Sequence, residues 1–486
     1  MSEDAVAGNS ARARVGRVLA PIVLATLWLV PLPLDGKQHR LAAIAAAVVV
    51  MWVTEVVPVP VTALLIAPAM VAAGITDAKS AFAPYADPLL FLFYGSFFIA
   101  LSMQRHGLDR RLAQAVVRSP MVAGVPWRTR LSLMLVGACL SMWISNTAST
   151  AMLVPILLGT MGKSALSRLS ESKRSSTTVG GLLAIAYACS VGGMGTLVGT
   201  PPNMITIRLL RGADVRLGFV DWIQIGVPSA AALVAIIYLV FARLYPPPPG
   251  NAQPKPEPAD DGPLSRGERV TALSFLLAVL GWLTPGVLKA VGSDLAGPVS
   301  RALPAGGVAI LAASLLFLMK DADGRRAVLP WQEARTIDWG LIMLFGGGIS
   351  LGTQMFQTGL ANELGRGFIA LTGVRDLWTL TALAMAFTIF FTEMCSNTAT
   401  SNMVVPLVIG VCAELGVSPI APSIGVALAA SCAFMLPIAT GPNAIVYGTG
   451  KVPMTRMLRA GFILNLVCGA ALFGVLRIMC PLLGWT

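Results

Sequence analysis

The sequence is short of charge. Of its 486 residues only 12% are Asp, Glu, Lys or Arg, about half the share of an ordinary soluble domain, while 56% are hydrophobic. That much apolar material could fill a core in water, but too few polar residues would remain to cover the surface. Apolar stretches near or above the roughly 20 residues that cross a bilayer recur throughout, so the chain reads as an all-α polytopic membrane protein. Histidine is nearly absent. His39 and His106 sit near segment ends, outside any metal-ligand spacing. Without a nucleophile–base pair or a metal triad, an intramembrane enzyme is disfavoured. The seven cysteines (Cys139, Cys189, Cys395, Cys412, Cys432, Cys468 and Cys480) include no CxxC pair. They read as small apolar packing groups rather than a disulfide framework, Cys395 beside Ser396 included. No basic stripe with interleaved aromatics carries the net charge of +12. It clusters between apolar segments, which topology explains and nucleic acid does not. Residues 1–15, with Arg12 and Arg14, lack the apolar core of a signal peptide and read as a cytoplasmic tail.

What is present is a repeat. Ser145-Asn146-Thr147-Ala148 leads to Met152, Pro155 and Gly159, and Ser396-Asn397-Thr398-Ala399 leads to Met403, Pro406 and Gly410. Over 145–159 and 396–410, 8 of 15 positions are identical at an offset of 251 residues. Both copies are polar interruptions of strongly apolar sequence, and a polar break repeated in two halves at membrane depth points to a transporter binding site.

Hydropathy predicts helices near 16–34, 41–57, 59–74, 86–106, 178–205, 221–245, 267–285, 302–320, 339–360, 420–448 and 457–483, about eleven transmembrane helices. Two further segments, 131–160 and 379–411, carry the Ser-Asn-Thr breaks. The arm 131–144 would be only ~21 Å long as a helix, against a hydrocarbon core of ~30 Å. It is therefore expected to turn back as a re-entrant hairpin. Arg110, Arg111, Arg118, Arg128 and Arg130 precede the first hairpin, and Lys163, Arg168, Lys173 and Arg174 follow it, which makes both flanks cytoplasmic. Arg375 precedes the second, and 411–423 contains no Lys or Arg, so its flanks read as extracytoplasmic. The hairpins then enter from opposite faces, as an inverted repeat requires. The first half is 16–245, the second 267–486. The segment 246–266, opening Pro246-Pro247-Pro248-Pro249-Gly250, is a cytoplasmic linker. The N-terminus falls inside and the C-terminus outside. One loop breaks the pattern: 208–220 carries Arg208, Arg211 and Arg216 yet falls outside, and the sequence offers no reason for it.

Each half has a second marker, Gly199-Thr200-Pro201-Pro202-Asn203 in the first and Ala439-Thr440-Gly441-Pro442-Asn443 in the second. Proline removes a backbone donor and glycine eases unwinding, so 178–205 and 420–448 are expected to be broken helices that expose half-helix ends. Their hydroxyls and carboxamides suit a hard cation through oxygen and a carboxylate through N–H or O–H. Segments 131–160 and 379–411 contain no Lys or Arg. A dianion there needs bound cations for compensation. Small polar residues that merely glue helices together are the plainer reading of one such motif, but not of two with paired breaks. Glu55 and Glu393 are acids in apolar surroundings and stand as candidates for either function or structure.

The paired Ser-Asn-Thr motifs, each followed by a Thr-Pro-Pro-Asn-like break, resemble the divalent anion/sodium symporter family of INDY-type dicarboxylate and citrate transporters. The resemblance runs from Trp52-Val53-Thr54-Glu55 to the last helix. It implies a homodimer whose protomers carry a scaffold domain and a transport domain that moves as an elevator. It implies substrate contacts from Ser145, Asn146, Thr147, Ser396, Asn397, Thr398 and Thr440. It implies one Na⁺ site from Ser141, Ser145, Asn146 and backbone near Gly199, and a second from Thr392, Ser396, Asn397 and backbone near Ala439. Ser141 and Thr392 also match under the 251 offset. The second break departs from the pattern, with Gly441 in place of a proline. The expected activity is Na⁺-coupled import of C4-dicarboxylates such as succinate, malate or fumarate across the cell's inner membrane. A sodium-independent exchanger, a citrate or sulfate symporter and a channel remain alternatives.

Overall fold

The computed structural model describes residues 11–119, 121–122, 125–160, 170–247 and 262–486. Most of the expected tail, most of the linker, and Lys163 and Arg168 lie outside these residues. Among the described residues the chain is helical, apart from one isolated bridge between Lys320 and Ala327.

The first half begins with α1 (Ala11–Leu29), α2 (Gly36–Thr54) and α3 (Val59–Ala72), followed by α4 (Pro88–His106) and the short α5 (Leu108–Arg118). The first hairpin is α6 (Pro126–Ser141) and α7 (Asn146–Thr160). The first broken helix is α8 (Glu171–Gly192) and α9 (Pro201–Arg211), and α10 (Phe219–Leu244) closes the half. The second half runs through α11 (Arg266–Ala290), α12 (Ala305–Leu318), α13 (Trp339–Gln357) and the short α14 (Leu360–Thr372). Its hairpin is α15 (Leu377–Phe391) and α16 (Asn397–Leu415), its broken helix α17 (Ile420–Ala430) and α18 (Gly441–Gly448), and α19 (Met454–Leu482) ends the chain.

By length and composition, seven of the described helices can cross a membrane, or nine if each of two bent pairs counts as one span. The sequence reading expected about eleven. The two counts differ in membership as well as number: the seven to nine include helices of the second hairpin, α16 and the bent pair α14–α15, and leave out α1 and α2 together with Val59–Ala72 and Ile420–Ala430, which are apolar but short, the last being one arm of a helix that unwinds before α18.

Local signals explain most boundaries. Asp35 caps α2 in a reciprocal capping box with Gln38, and Asp87 caps α4, which has proline at its first turn. Gly107 and Gly359 take φ of +69° and +78°, the left-handed region in which a side chain is strained. At both points the chain turns from a long helix into a short one. The short helices α5 and α14 were not expected from hydropathy. Asp109, Arg110, Arg111 and Gln114 interrupt α5, and Asn362, Glu363 and Arg366 interrupt α14, so neither makes an apolar run of spanning length.

Packing between helices, rather than escape from water, holds such a bundle together. The helix α8 is the interior element, buried from Val179 to Gly192. The two halves interlock: α7 of the first hairpin packs on α18 of the second break, and α16 of the second hairpin packs on α9 of the first. This exchange brings both tips and both breaks to one place.

Candidate functional site

Four helices start at the same cavity. Its volume is about 400 Å³, and its wall includes Ser145, Asn146 and Thr147 at the start of α7, and Asn397 and Thr398 at the start of α16. Thr200 and Pro201 at the start of α9, and Thr440, Gly441 and Pro442 at the start of α18, complete that side. The first-turn N–H groups of a helix have no partner within it, and the helix dipole makes that end electropositive. Four such ends make the space electropositive without a charged side chain, α9 through its dipole and the Thr200 hydroxyl, because Pro201 and Pro202 have no N–H. Among the described residues the wall contains no Lys or Arg, and Asp338 is its one acid. The opposite wall is Phe93, Ser96, Phe97, Ala100, Leu101 and Gln104 of α4, with Ile337 and Leu341.

Behind the first tip lies a cluster of oxygens. Ser141 Oγ and Asn146 Oδ1 are buried without a hydrogen-bond partner. A Cβ added at Gly199 would lie 2.5 Å from Gly193 O and 2.9 Å from Ser141 O, and one added at Gly193 would lie 2.7 Å from Asn146 Oδ1. Only glycine leaves room for this convergence of two side-chain and several carbonyl oxygens. Buried oxygens without donors are costly, and a hard cation satisfies them.

The second tip is built differently. Thr392 Oγ1 lies 2.8 Å from Asn397 Oδ1 and 3.0 Å from Ala430 O. One hydroxyl has one proton, so three oxygens share it, and the side chains that stand unpaired at the first tip are bonded to each other here. Ser396 Oγ accepts from Ala399 N at 3.2 Å as the N-cap of α16. Ser396 is therefore turned onto its own helix and is absent from the cavity wall, whereas Ser145 is exposed on it. Gly199 and Ala439 both line the cavity.

Several residues that sequence reasoning did not assign a role hold this site. Glu393 is 4% exposed. Its carboxylate accepts from the backbone N–H groups of Met435 (2.8 Å) and Leu436 (3.0 Å) and from Asn465 Nδ2 (2.8 Å). It thus fixes the unwound stretch between α17 and α18, where the sequence left function and structure equally open. Glu55 has no such environment; it is exposed and ends α2 at φ +50°. Tyr187 donates to Phe434 O at 2.6 Å in the second break, and Trp222 Nε1 donates to Met194 O at 2.8 Å in the first. Trp143, at the first tip, stacks with Trp282 of α11 at 6.2 Å between ring centroids. No spacing rule announces these partners. The one available signal was aromatic and acidic residues in sequence otherwise apolar.

Comparison with known proteins agrees with this architecture. The sequence profile of the family described as "Sodium:sulfate symporter transmembrane region" matches residues 12–485. An uncharacterized transporter of Haemophilus influenzae is 34% identical over 453 residues, covering 92% of this chain and 93% of its own. The sodium-dependent dicarboxylate transporter SdcS of Staphylococcus saprophyticus is 31% identical over 484 residues, covering 96% and 91%. SdcS of Staphylococcus aureus (strain USA300) is 30% identical over 489 residues, covering 97% and 92%. Among solved structures, the YdaH transporter of Alcanivorax borkumensis superposes with a TM-score of 0.57 at 14% identity, over 98% of this chain and 97% of the other. MtrF of Neisseria gonorrhoeae gives 0.56 at 15% identity, over 94% and 97%. At such identities the structures speak for the fold alone.

Proposed function

This chain belongs to the sodium:sulfate symporter transmembrane family, a family of membrane transporters, and from that premise we propose that it imports C4-dicarboxylates together with Na⁺. The observation that carries the reading is the convergence of four helix N-termini on a cavity whose described wall has no Lys or Arg. A dicarboxylate has two anionic ends for such N–H groups and the hydroxyls beside them. Asn146, Thr147, Asn397, Thr398 and Thr440 contact the carboxylates, with Ser145 at the exposed edge of the first tip. Ser396 contributes through its capping of α16.

Cations supply the missing positive charge. One Na⁺ lies among Ser141, Ser145, Asn146 and the carbonyls near Gly199. A second lies among Thr392, Ser396, Asn397 and the backbone near Ala439, after the Thr392–Asn397 bond opens. Both are coupling ions and leave with the substrate. The hairpins α6–α7 and α15–α16 are re-entrant from opposite faces. With the broken helices they form a transport domain that moves as an elevator against α1–α4 and α11–α13, in a homodimer. The protein resides in the inner membrane with its N-terminus inside and its C-terminus outside. SdcS, by its name, is sodium-dependent and carries dicarboxylates, which favours this substrate class over sulfate.

Radiolabelled succinate uptake into proteoliposomes is the test. An inward Na⁺ gradient is expected to drive accumulation that choline does not support. Uptake indifferent to Na⁺ but stimulated by internal dicarboxylate identifies the exchanger instead, and competition by citrate or sulfate reassigns the substrate.

A further inference from the structure

The two hairpin tips are held at the same point of the repeat by different chemistry. Trp143 and Met394 correspond at the offset of 251 residues, each three positions before the asparagine of its Ser-Asn-Thr motif. At the first tip the side chain makes the contact. Trp143 stacks on Trp282 of α11 and meets Phe275 of the same helix edge-on, at 5.3 Å between ring centroids. At the second tip the backbone makes it. Arg12, in the first turn of α1, donates through Nη2 to Met394 O at 2.7 Å, and through the same nitrogen to Val53 O in the last turn of α2. One guanidinium thus joins the second hairpin to both N-terminal helices.

Each side of that bridge is fixed by its surroundings. The last carbonyls of a helix have no partner within it, so Val53 O is available to accept. Gly16, one turn along α1 from Arg12, lies so close to the end of α2 that an added Cβ would be 2.1 Å from Thr54 Oγ1. That contact sets α1 on α2 and places Arg12 at the junction. Next to Met394, Cys395 is 3% exposed. It and Ala399 bring the second hairpin into a hydrophobic cluster with Trp52 of α2, Ile66 of α3 and Leu344 of α13. The second tip is therefore docked on these helices by a buried apolar contact, with a charge-assisted bond from the half-buried Arg12 beside it.

We propose that Arg12 is a lock on the transport cycle. It fastens the second hairpin to α1 and α2 in the arrangement seen here, and its bond to Met394 O breaks whenever the hairpin moves. The inference rests on the elevator reading above, in which α1–α4 and α11–α13 stay still. Displacing the hairpin along those helices separates Met394 from Val53 and draws Cys395 out of its cluster. Arg12 is not part of the cavity wall, so it acts on the balance between arrangements rather than on the ligand. Its acceptor in the hairpin is a backbone carbonyl, so no side-chain pattern there announces the lock.

The experiment uses the full-length protein in detergent with six of its seven cysteines replaced, leaving the native Cys395, which is labelled with a maleimide. The parent is expected to label slowly, because the thiol reacts only when the hairpin has left its cluster. Arg12→Gln is expected to speed labelling about tenfold, the scale of one lost charge-assisted bond. Arg14→Gln removes the same charge from an exposed position on the same helix and is expected to label at the parent rate. A second single-cysteine protein keeps only Cys189, buried in α8, and Arg12→Gln is expected to leave it as unreactive as in the parent. Parent-like labelling of Cys395 in Arg12→Gln overturns the lock, as does a rise at Cys189, which would mean general loosening, or an equal rise in Arg14→Gln. Should Arg12→Gln not fold, Arg12→Lys decides by the same reading, since one ammonium spans the two carbonyls less well than the planar fork. Parent proteoliposomes without Na⁺-driven succinate uptake overturn the transport reading and the lock with it. A parent that transports while its Arg12 variants label as it does overturns the lock alone.

Discussion

Asn203 and Asn443 hold the two helix breaks with the same pair of bonds. Asn203 Nδ2 donates to Gly193 O at 2.9 Å and Thr196 O at 2.7 Å, and Asn443 Nδ2 donates to Ala433 O and Leu436 O, both at 2.9 Å. In each case the acceptors lie ten and seven residues back in the chain. A broken helix leaves carbonyls without donors, and here one carboxamide serves two of them while its own oxygen stays buried and unpaired.

Replacing either asparagine with alanine should therefore loosen one break and leave the other intact. Two lost bonds amount to about 2 kcal/mol of local stability. Hydrogen exchange is expected to quicken at 193–200 in Asn203→Ala and at 433–440 in Asn443→Ala, each with a weaker Na⁺ dependence of uptake. Exchange that rises equally at both breaks would mean that the braces do not act locally.

Asn146 and Asn397 make a contrasting pair. Asn146 Oδ1 has no partner, whereas Asn397 Oδ1 is bonded to Thr392. Both alanine variants are expected to lose coupled uptake, because a buried bond to a charged ligand is worth about 1.5–3 kcal/mol, or at least tenfold in affinity. Only Asn397→Ala should also lower the thermal stability of the ligand-free protein, by about 1 kcal/mol, since it alone breaks an existing side-chain bond. Wild-type uptake in either variant would remove that tip from the site.

Those four asparagines show where sequence reading succeeds. A carboxamide preceded by Pro-Pro or Gly-Pro, or flanked by hydroxyls, in apolar sequence is conspicuous, and its recurrence, at an offset of 251 residues for the tips and 240 for the breaks, locates all four. What it bonds to is another matter. The acceptors of Asn203 and two of the three donors to Glu393 are backbone groups, identical in every residue, so no side-chain pattern records them. The difference between the tips was equally hidden, because Ser141 and Thr392 match at the same offset, yet only Thr392 meets its asparagine. Gly441 was visible as a departure from the repeat. Its reason is a neighbour, Thr147, 294 positions earlier in the chain.

The scarcity of positive charge at the cavity predicts thermodynamic linkage. If Na⁺ supplies the compensation, Na⁺ should strengthen dicarboxylate binding and dicarboxylate should strengthen Na⁺ binding by the same factor. Calorimetric titration of succinate in Na⁺ and in choline measures one side, and titration of Na⁺ with and without succinate the other. Equal succinate affinity in both salts would favour the exchanger.

Gly441 offers the sharpest test of how the hairpin of one half meets the break of the other. A Cβ added there would lie 2.1 Å from Thr147 Oγ1 and 2.9 Å from Thr147 Cγ2, so alanine or proline must displace the threonine. The corresponding residue of the first half, Pro201, shows that the backbone of the break tolerates proline, which leaves crowding by Thr147 as the obstacle. Gly441→Ala is expected to weaken dicarboxylate binding at least about tenfold, the loss of one well-placed bond to a charged group, while the protein stays folded. Gly448→Ala, where nothing lies within 4 Å, is the neutral control. A double-mutant cycle separates crowding from a direct role of the glycine. Thr147→Ala should reduce binding alone, but adding Gly441→Ala to it should cost nothing further, because the clash has gone. Losses that simply add would show that Gly441 acts independently of Thr147, and the contact between α7 and α18 would then not shape the site.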